Sequence, residues 1–415
     1  MCGGLSYRGI GIKIKMETED LIKMNLINSC PSFKRKGSLG IQKLKLLPLF
    51  KGLGFIFLYL TIPIAAQPNT SWPSYRGNPA LNGVANVKLP SSPKLLWSYK
   101  LGDKTKSSPI ISNGAIYLGS NNGNIYAITD KGALIWKFNT GNGIEASPLF
   151  LDNTIYVGNL EGVLFALDAK TGKVKWKYAT EGQISGAVNY FISPSKVKEL
   201  MVGSYDYSMY CVNSANGKLV WKYASENYIN GCAATNGKVT VFGGCDGQLH
   251  AVDVNSGKLQ HKIDIGTYIA SSASLDGNLA FFGNYDGAFF CADFASKKIV
   301  WKTEGAGPFV GSPSVSGNKV IVGSDDKSVY CFNKQDGKVL WKHKTLGKIA
   351  GSPVIAGLSV VVTSGDGRVY ILDLNTGKEI WKYEIGSSIV STPAITQSLM
   401  VVVAEDGRVF AFGTK

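Results

Sequence analysis

Histidine is nearly absent from this sequence: the 415 residues include only His250, His261 and His343. None lies near another in the chain, which argues against an imidazole metal site or a histidine-based catalytic pair. No two cysteines are adjacent, and five of the seven lie beyond residue 66. Among these, Cys211, Cys291 and Cys331 occupy one position of an internal repeat. Equivalent positions in neighbouring repeats should lie farther apart than the roughly 7 Å that a disulfide spans. Cys232 and Cys245 do not face each other across the hairpin centred on Asn236 and Gly237. All five are therefore expected as free thiols, which is unusual for an oxidising compartment. No phosphate-binding glycine loop and no nucleophile elbow is present. Acidic residues are outnumbered, 29 against 44 basic, giving a formal charge of +15. Much of that excess lies before residue 67, and the remainder is dispersed. Lys173, Lys218, Lys258, Lys338 and Lys378 each follow a turn glycine. Such spacing describes solvated turns, not the concentrated basic footprint of a nucleic-acid binder.

Long apolar runs are also lacking, with one exception. Lys43, Lys45 and Lys51 lead into an apolar stretch over residues 53–66, closed by Ala65 and Ala66 and followed by the polar QPNTS. This is the pattern of a secretory signal peptide, with cleavage expected after Ala66. It is short for a membrane span, which needs about 20 apolar residues; the alternative is an uncleaved N-terminal anchor. Met24 is an alternative start to Met1. No cysteine follows the apolar stretch, so the lipid-attachment pattern of bacterial lipoproteins is missing. The chain divides into residues 1–66, leader and signal peptide; 67–94, a lead-in segment; and 95–415, the folded domain.

What is present is glycine, 49 residues against 15 prolines, and a repeat. Trp97, Trp136, Trp176, Trp221, Trp301, Trp341 and Trp381 head similar phrases such as VKWKY, LVWKY and EIWKY. They recur about every forty residues, and the one double gap places His261 of KLQHKI in the missing slot. A second series runs in phase: NNGNIYAI, LEGVLFAL, YDYSMYCV, CDGQLHAV, YDGAFFCA, DDKSVYCF, GDGRVYIL and EDGRVFAF. Both series give eight copies. Each unit reads as four short strands: one after a Ser-Pro or its equivalent, one ending in Gly-Ser, one after an Asp-Gly hairpin turn, and the Trp strand. Four strands per unit, eight times over, predicts an all-β, eight-bladed β-propeller of four-stranded antiparallel blades. The first Trp strand precedes any complete unit, while the last unit stops at Phe412 without one. The Trp97 strand should therefore complete the final blade and close the ring. Five extra residues in FISPSKVKEL form a loop between the first two strands of the third unit.

The phrase Asp-x-x-Thr-Gly-x-x-x-Trp, cleanest in ALDAKTGKVKW (166–176) and ILDLNTGKEIW (371–381), resembles the tryptophan-docking motif of the PQQ-type β-propeller repeat. That family includes eight-bladed quinoprotein dehydrogenases and BamB, the non-enzymatic propeller of the outer-membrane β-barrel assembly machine. The resemblance covers about residues 97–412. It implies that the seven tryptophans pack between neighbouring blades against the Thr-Gly turns. WPSYRGNPALNG (72–83) is similar to a lead-in common in small secreted members; it either covers one rim or is a tail that merely packs.

Dehydrogenases of this family hold PQQ and Ca²⁺ with groups on long inserted loops and often a disulfide between adjacent cysteines. Here the repeats are nearly bare. Asp246, Asp286, Asp326, Asp366 and Asp406 recur at one turn position, so they are structural before they are catalytic. The positions of His250 and His261 are set by the repeat, and His343 lies on an outer strand. No catalytic, cofactor or metal residues are expected. The expected function is a monomeric, exported, BamB-like protein-interaction scaffold at the cell envelope, periplasmic, with protein partners on the propeller rims. Nucleic acid is not a partner, and membrane association comes only through partners or an uncleaved signal. The alternatives are a minimal PQQ-dependent quinoprotein and a carbohydrate-binding or sensor propeller. Because histidine fills a slot built for indole, His261→Trp is expected to raise the melting temperature.

Overall fold

A computed structural model describes residues 70–414 other than Ala270 and Ala306. Residues 1–66, with the cleavage expected after Ala66, lie outside the described residues. Strands and turns make up the described chain, without a helix. Eight antiparallel sheets follow one another as blades of a propeller.

Blade 1 is typical, running through Ile110–Ser112, Ala115–Gly119, Asn124–Thr129 and Leu134–Asn139. The second strand, AIYLG, is buried along its whole length. Neighbouring blades cover both of its faces, so it reads as a continuous apolar run and not as an alternation. The core is accordingly divided among blade interfaces. Ile110, Tyr117 and Ile125 of blade 1 pack with Ile155, Val157 and Phe165 of blade 2, and the pattern repeats between blades 2 and 3. Each outermost strand is bulged just before its Trp-slot residue, as between Ala127 and Ile128 opposite Trp136. A bulge bends the strand and re-aims the side chain that follows it.

The ring closes as the repeat predicts. Lys94–Lys100 pairs with Arg408–Gly413, placing Trp97 opposite Ala411. The extra residues of the third unit form the loop 193–197 between Asn189–Ile192 and Lys198–Gly203. One blade departs from four strands: Val84–Ala85 of the lead-in pairs in parallel with Val354–Ala356 of blade 7, giving that sheet a fifth. The five cysteines are free. Cys211, Cys291 and Cys331 sit opposite Trp221, Trp301 and Trp341. Burial pushes the Cys291 and Cys331 thiols up to about 12, so they behave as small apolar groups.

Two histidines introduce a pH dependence. Burial, together with nearby Lys297, holds His261 below its ordinary value, and burial does the same to His343. Both take up protons at lower pH in the folded protein than in the unfolded chain, where uptake begins from about pH 6.5 downward. The unfolded state then binds more protons, so stability is complete above that pH and declines below it. We expect the melting temperature to fall between about pH 6.5 and 5, and to fall less in a His261→Gln/His343→Gln variant. Parallel declines in calorimetry would count against this. The lowered carboxylates, among them Asp168 and Asp373, protonate only in a separate window below their ordinary value of 3.8.

Candidate functional site

Six of the seven predicted tryptophans make one contact in common. Their indole Nε1–H groups donate to a turn carbonyl of the next blade: Trp97 to Asp130, Trp136 to Ala169, Trp176 to Ser214, Trp221 to Val254, Trp301 to Lys334 and Trp341 to Leu374, at 2.8–3.0 Å. Each indole lies against the turn glycine: Gly132, Gly172, Gly217, Gly257, Gly337 and Gly377 respectively. Trp381 differs, packing edge-on against Phe412 at 5.6 Å, because blade 8 takes its outermost strand from Lys94–Lys100 and has no turn joining it to the third. These residues lie at the blade joints, away from the axis.

The recurrent aspartates also stay in their turns. Asp246, Asp366 and Asp406 accept from the amides of Gln248, Arg368 and Arg408. Asp326 and Asp366 accept from Tyr330 and Tyr370. Blade 4 has His250 in that tyrosine position, bridging Asp246 at 2.8 Å and the Tyr223 hydroxyl at 2.9 Å. Burial opposes ionisation of Asp246, yet the hydrogen bond and charge of His250 hold its carboxyl below the usual range.

The features near the axis were not singled out from the sequence. Where the innermost strand of each blade begins, one side chain faces the channel: Ser108, Ser147, Ala187, Cys232, Ser272, Ser312, Ser352 and Thr392. The hydroxyls form a belt between blades. The amide of Thr392 donates to Ser108 Oγ at 2.9 Å, Ser108 to Ser147 at 3.2 Å, Cys232 to Ser272 at 2.8 Å, Ser272 to Ser312 at 3.2 Å, Ser312 to Ser352 at 2.9 Å, and Ser352 to Thr392 Oγ1 at 3.3 Å. The belt is interrupted where Ala187 and Cys232 offer no hydroxyl. The Ser-Pro phrases marked strand starts in the sequence, and their hydroxyls were the available signal.

The lead-in closes one end of this channel. Trp72 exchanges two backbone hydrogen bonds with Ile111 of blade 1. The amides of Phe150, Thr235, Leu275, Val315 and Ile355, on the innermost strands of blades 2, 4, 5, 6 and 7, then donate to carbonyls of Pro73, Pro79, Ala80, Asn82 and Gly83. Blade 3 reaches Pro79 through Asn189 Nδ2. Residues 72–83 thus cover the channel end, the first of the two possibilities read from the sequence. Tyr75 enters the axis, its hydroxyl 3.2 Å from Ser312 Oγ and 3.1 Å from Ser352 Oγ. Arg76 is wholly buried beneath it, donating to the Pro353 and Pro313 carbonyls and to Ser314 Oγ. Burial lowers its pKa to about 10, and among the described residues no carboxylate pairs with it.

What remains is a pit of about 390 Å³, floored by Tyr75 and walled by the hydroxyl belt. Its mouth carries Lys106, Glu145, Tyr205, Asn230 and Tyr285. Lys106 and Glu145 pair at 2.8 Å, and that hydrogen bond raises the lysine. Around the mouth, turns of blades 3–5 present Tyr207, Tyr228, Tyr268 and Tyr285, between 41% and 53% exposed. Tyr228 stacks obliquely on Tyr205 and Tyr207, with centroids 4.9 and 5.1 Å apart.

The profile of the family described as outer membrane protein assembly factor BamB matches residues 90–241, 245–352 and 328–415. The chain belongs to the BamB family. A BamB structure from Moraxella catarrhalis superposes with a TM-score of 0.66 at 20% identity, over 78% of this chain and all of that one. The quinohemoprotein alcohol dehydrogenase of Comamonas testosteroni gives 0.70 at 14% identity, over 83% of this chain and 80% of that one. The computationally designed protein Ika8 gives 0.68 at 16% identity, over 77% and all of its chain. At these identities the likeness is one of fold. No curated protein matches the sequence. For a BamB-family propeller that shares its fold with dehydrogenases, the donor set of the pit matters. It offers hydroxyls, an amide and one carboxylate already engaged by a lysine, and among the described residues no three His, Cys, Asp or Glu gather. Such a set offers Ca²⁺ no free carboxylate to balance its charge, and so does not fit PQQ held by Ca²⁺.

Proposed function

We propose that this chain is a non-enzymatic propeller, exported and monomeric, that holds a protein partner at the cell envelope, as its family's assembly factor does. The supporting observation is Tyr207. It occupies the turn position that Gly247, Gly287, Gly367 and Gly407 fill in other blades, and it does so at φ +70°. A non-glycine residue in that conformation is disfavoured by about 1–2 kcal/mol. Lys327 of blade 6 holds the same conformation at φ +68°, so the turn tolerates a side chain, and what sets Tyr207 apart is an exposed aromatic ring at the rim. With Tyr228 and Tyr268 it forms an exposed aromatic patch on a rigid rim, the composition that concentrates binding energy at protein interfaces. The lead-in occupies the other channel end, which leaves this rim as the open one. The signal-peptide pattern is consistent with export, membrane contact then passing through the partner or an uncleaved signal.

The test is photo-crosslinking in the native envelope from position 207, with the partner identified by mass spectrometry. We expect one dominant outer-membrane assembly component. We also expect its capture from position 207 to fall at least about tenfold in a Tyr228→Ser/Tyr268→Ser variant of unchanged melting temperature, consistent with hot-spot energies of about 2 kcal/mol. Unchanged capture, or turnover of alcohols or sugars with added PQQ and Ca²⁺, would refute the proposal.

A further inference from the structure

We propose that the pit on the channel axis binds the end of a neutral oligosaccharide. Its shape is that of a ligand site. The lead-in seals one end, the opposite end opens beside Tyr205 and Tyr285, and the volume of about 390 Å³ falls within the range of small-molecule pockets.

The hydrogen-bonding state of the wall restricts the ligand class. The belt hydroxyls of Ser108, Ser147, Ser272 and Thr392 use their oxygens to accept amide protons from neighbouring blades. No described residue accepts their own hydroxyl protons, which leaves four donors unclaimed around the axis. Higher in the pit, Asn230 Oδ1 and Ser185 Oγ are buried without any partner. Buried polar atoms are almost always satisfied, so these exceptions point to a partner outside the chain. The wall therefore presents unclaimed donors and an unclaimed amide acceptor together. An inorganic anion accepts only, and would leave Asn230 Oδ1 unpaired. An apolar ligand would leave the whole set unpaired, at about 1–3 kcal/mol for each buried group. Sugar hydroxyls donate and accept at once, and match both halves.

Charge and aromatic placement point the same way. Among the described residues the only ionised side chains on the lining, Lys106 and Glu145, pair with each other, so they give the pit no net charge to select an ion. Tyr285 is 51% exposed at the mouth, and Tyr205 stands across blades from it. Aromatic faces beside hydrogen-bonding groups accommodate a pyranose, which is apolar on its C–H face and polar at its edge. The patch assigned above to a protein partner, Tyr207, Tyr228 and Tyr268, does not line the pit, so the two sites can fail independently.

The experiment is calorimetric titration of the folded full-length chain with maltotriose, cellotriose and N-acetylchitotriose, alongside citrate and phosphate. We expect at least one trisaccharide to bind with a Kd tighter than about 1 mM. Tyr285→Ala should weaken it about tenfold or more. Ala187→Phe, which places a ring in the pit, should abolish it while leaving crosslinking from position 207 intact. Tyr285 is exposed at a turn, so its substitution tests binding without threatening the fold. The proposal is overturned if no trisaccharide binds, if binding ignores both substitutions, or if citrate or phosphate binds in preference.

Discussion

Replacing His261 by tryptophan is expected to lower the melting temperature, and replacing it together with Lys297→Gly to raise it. From the repeat alone the single change should stabilise, since indole is the rule in that slot. The structure supplies the other half of the joint. At the six regular joints the indole lies against a turn glycine at positive φ, such as Gly257 beneath Trp221 at +68°. A Cβ built on these glycines would come within 2.5–2.8 Å of the ring. In the next turn that glycine is replaced by Lys297, at φ +62°. The Cβ of Lys297 claims the space an indole needs, and the smaller imidazole is what remains compatible with it. Tryptophan added alone overpacks the joint, at about 1–3 kcal/mol. With Lys297→Gly the indole gains its usual seat, and the left-handed strain of a lysine, about 1–2 kcal/mol, is relieved. Calorimetry on the two single variants and the double variant gives the coupling directly. A single His261→Trp variant that melts higher than the parent would show that position 297 is no part of the joint.

Substituting Arg76 by alanine is expected to destabilise the protein by about 2–5 kcal/mol, since it strips the buried Pro313 and Pro353 carbonyls of their donors. Against this stands the burden of burying a cation without a counter-ion, visible in the lowered pKa of about 10. That value is still well above 7, so the guanidinium remains ionised and its hydrogen bonds are charge-assisted. The unpaired carbonyls therefore outweigh the relief of charge. Gly83 is bound up with the same feature: at φ +65° it has no room for a Cβ beside the guanidinium. The opening should be local before it is global. Amide hydrogen exchange should accelerate at Thr235, Leu275, Val315 and Ile355, whose acceptors lie on the lead-in. Arg76→Met, which fills space without donating, should behave likewise. Unaltered exchange at those amides in either variant would mean that Arg76 does not hold the lead-in down.

The repeat was legible because each blade solves the same problem with the same residues: a Trp for the neighbour, a glycine beneath the ring, an apolar run covered on both faces. Closure through Trp97 followed from counting strands. The lead-in's path was left open because it is held mainly by backbone hydrogen bonds to six different blades, which leave no side-chain pattern. The Lys297 substitution was visible, but its meaning depends on a contact 36 residues from His261 that only the folded joint defines. Tyr205, Tyr207, Tyr228, Tyr268 and Tyr285 are dispersed over three units and become one surface only when the ring forms. The hydroxyl belt was hidden for the opposite reason, since regularity made each serine look like punctuation.

The pairing of Trp97 with Ala411 also governs the order of events during synthesis. The strand at residues 94–100 leaves the ribosome first among the blade strands, and its partner at 408–413 leaves last. Until then the first strand has no sheet to join, and seven blades stand with an unclosed gap between the first and the seventh. Contacts this distant in sequence are slow to form and leave strand edges open to other chains. The ring therefore cannot lock before the strand at 408–413 has been made.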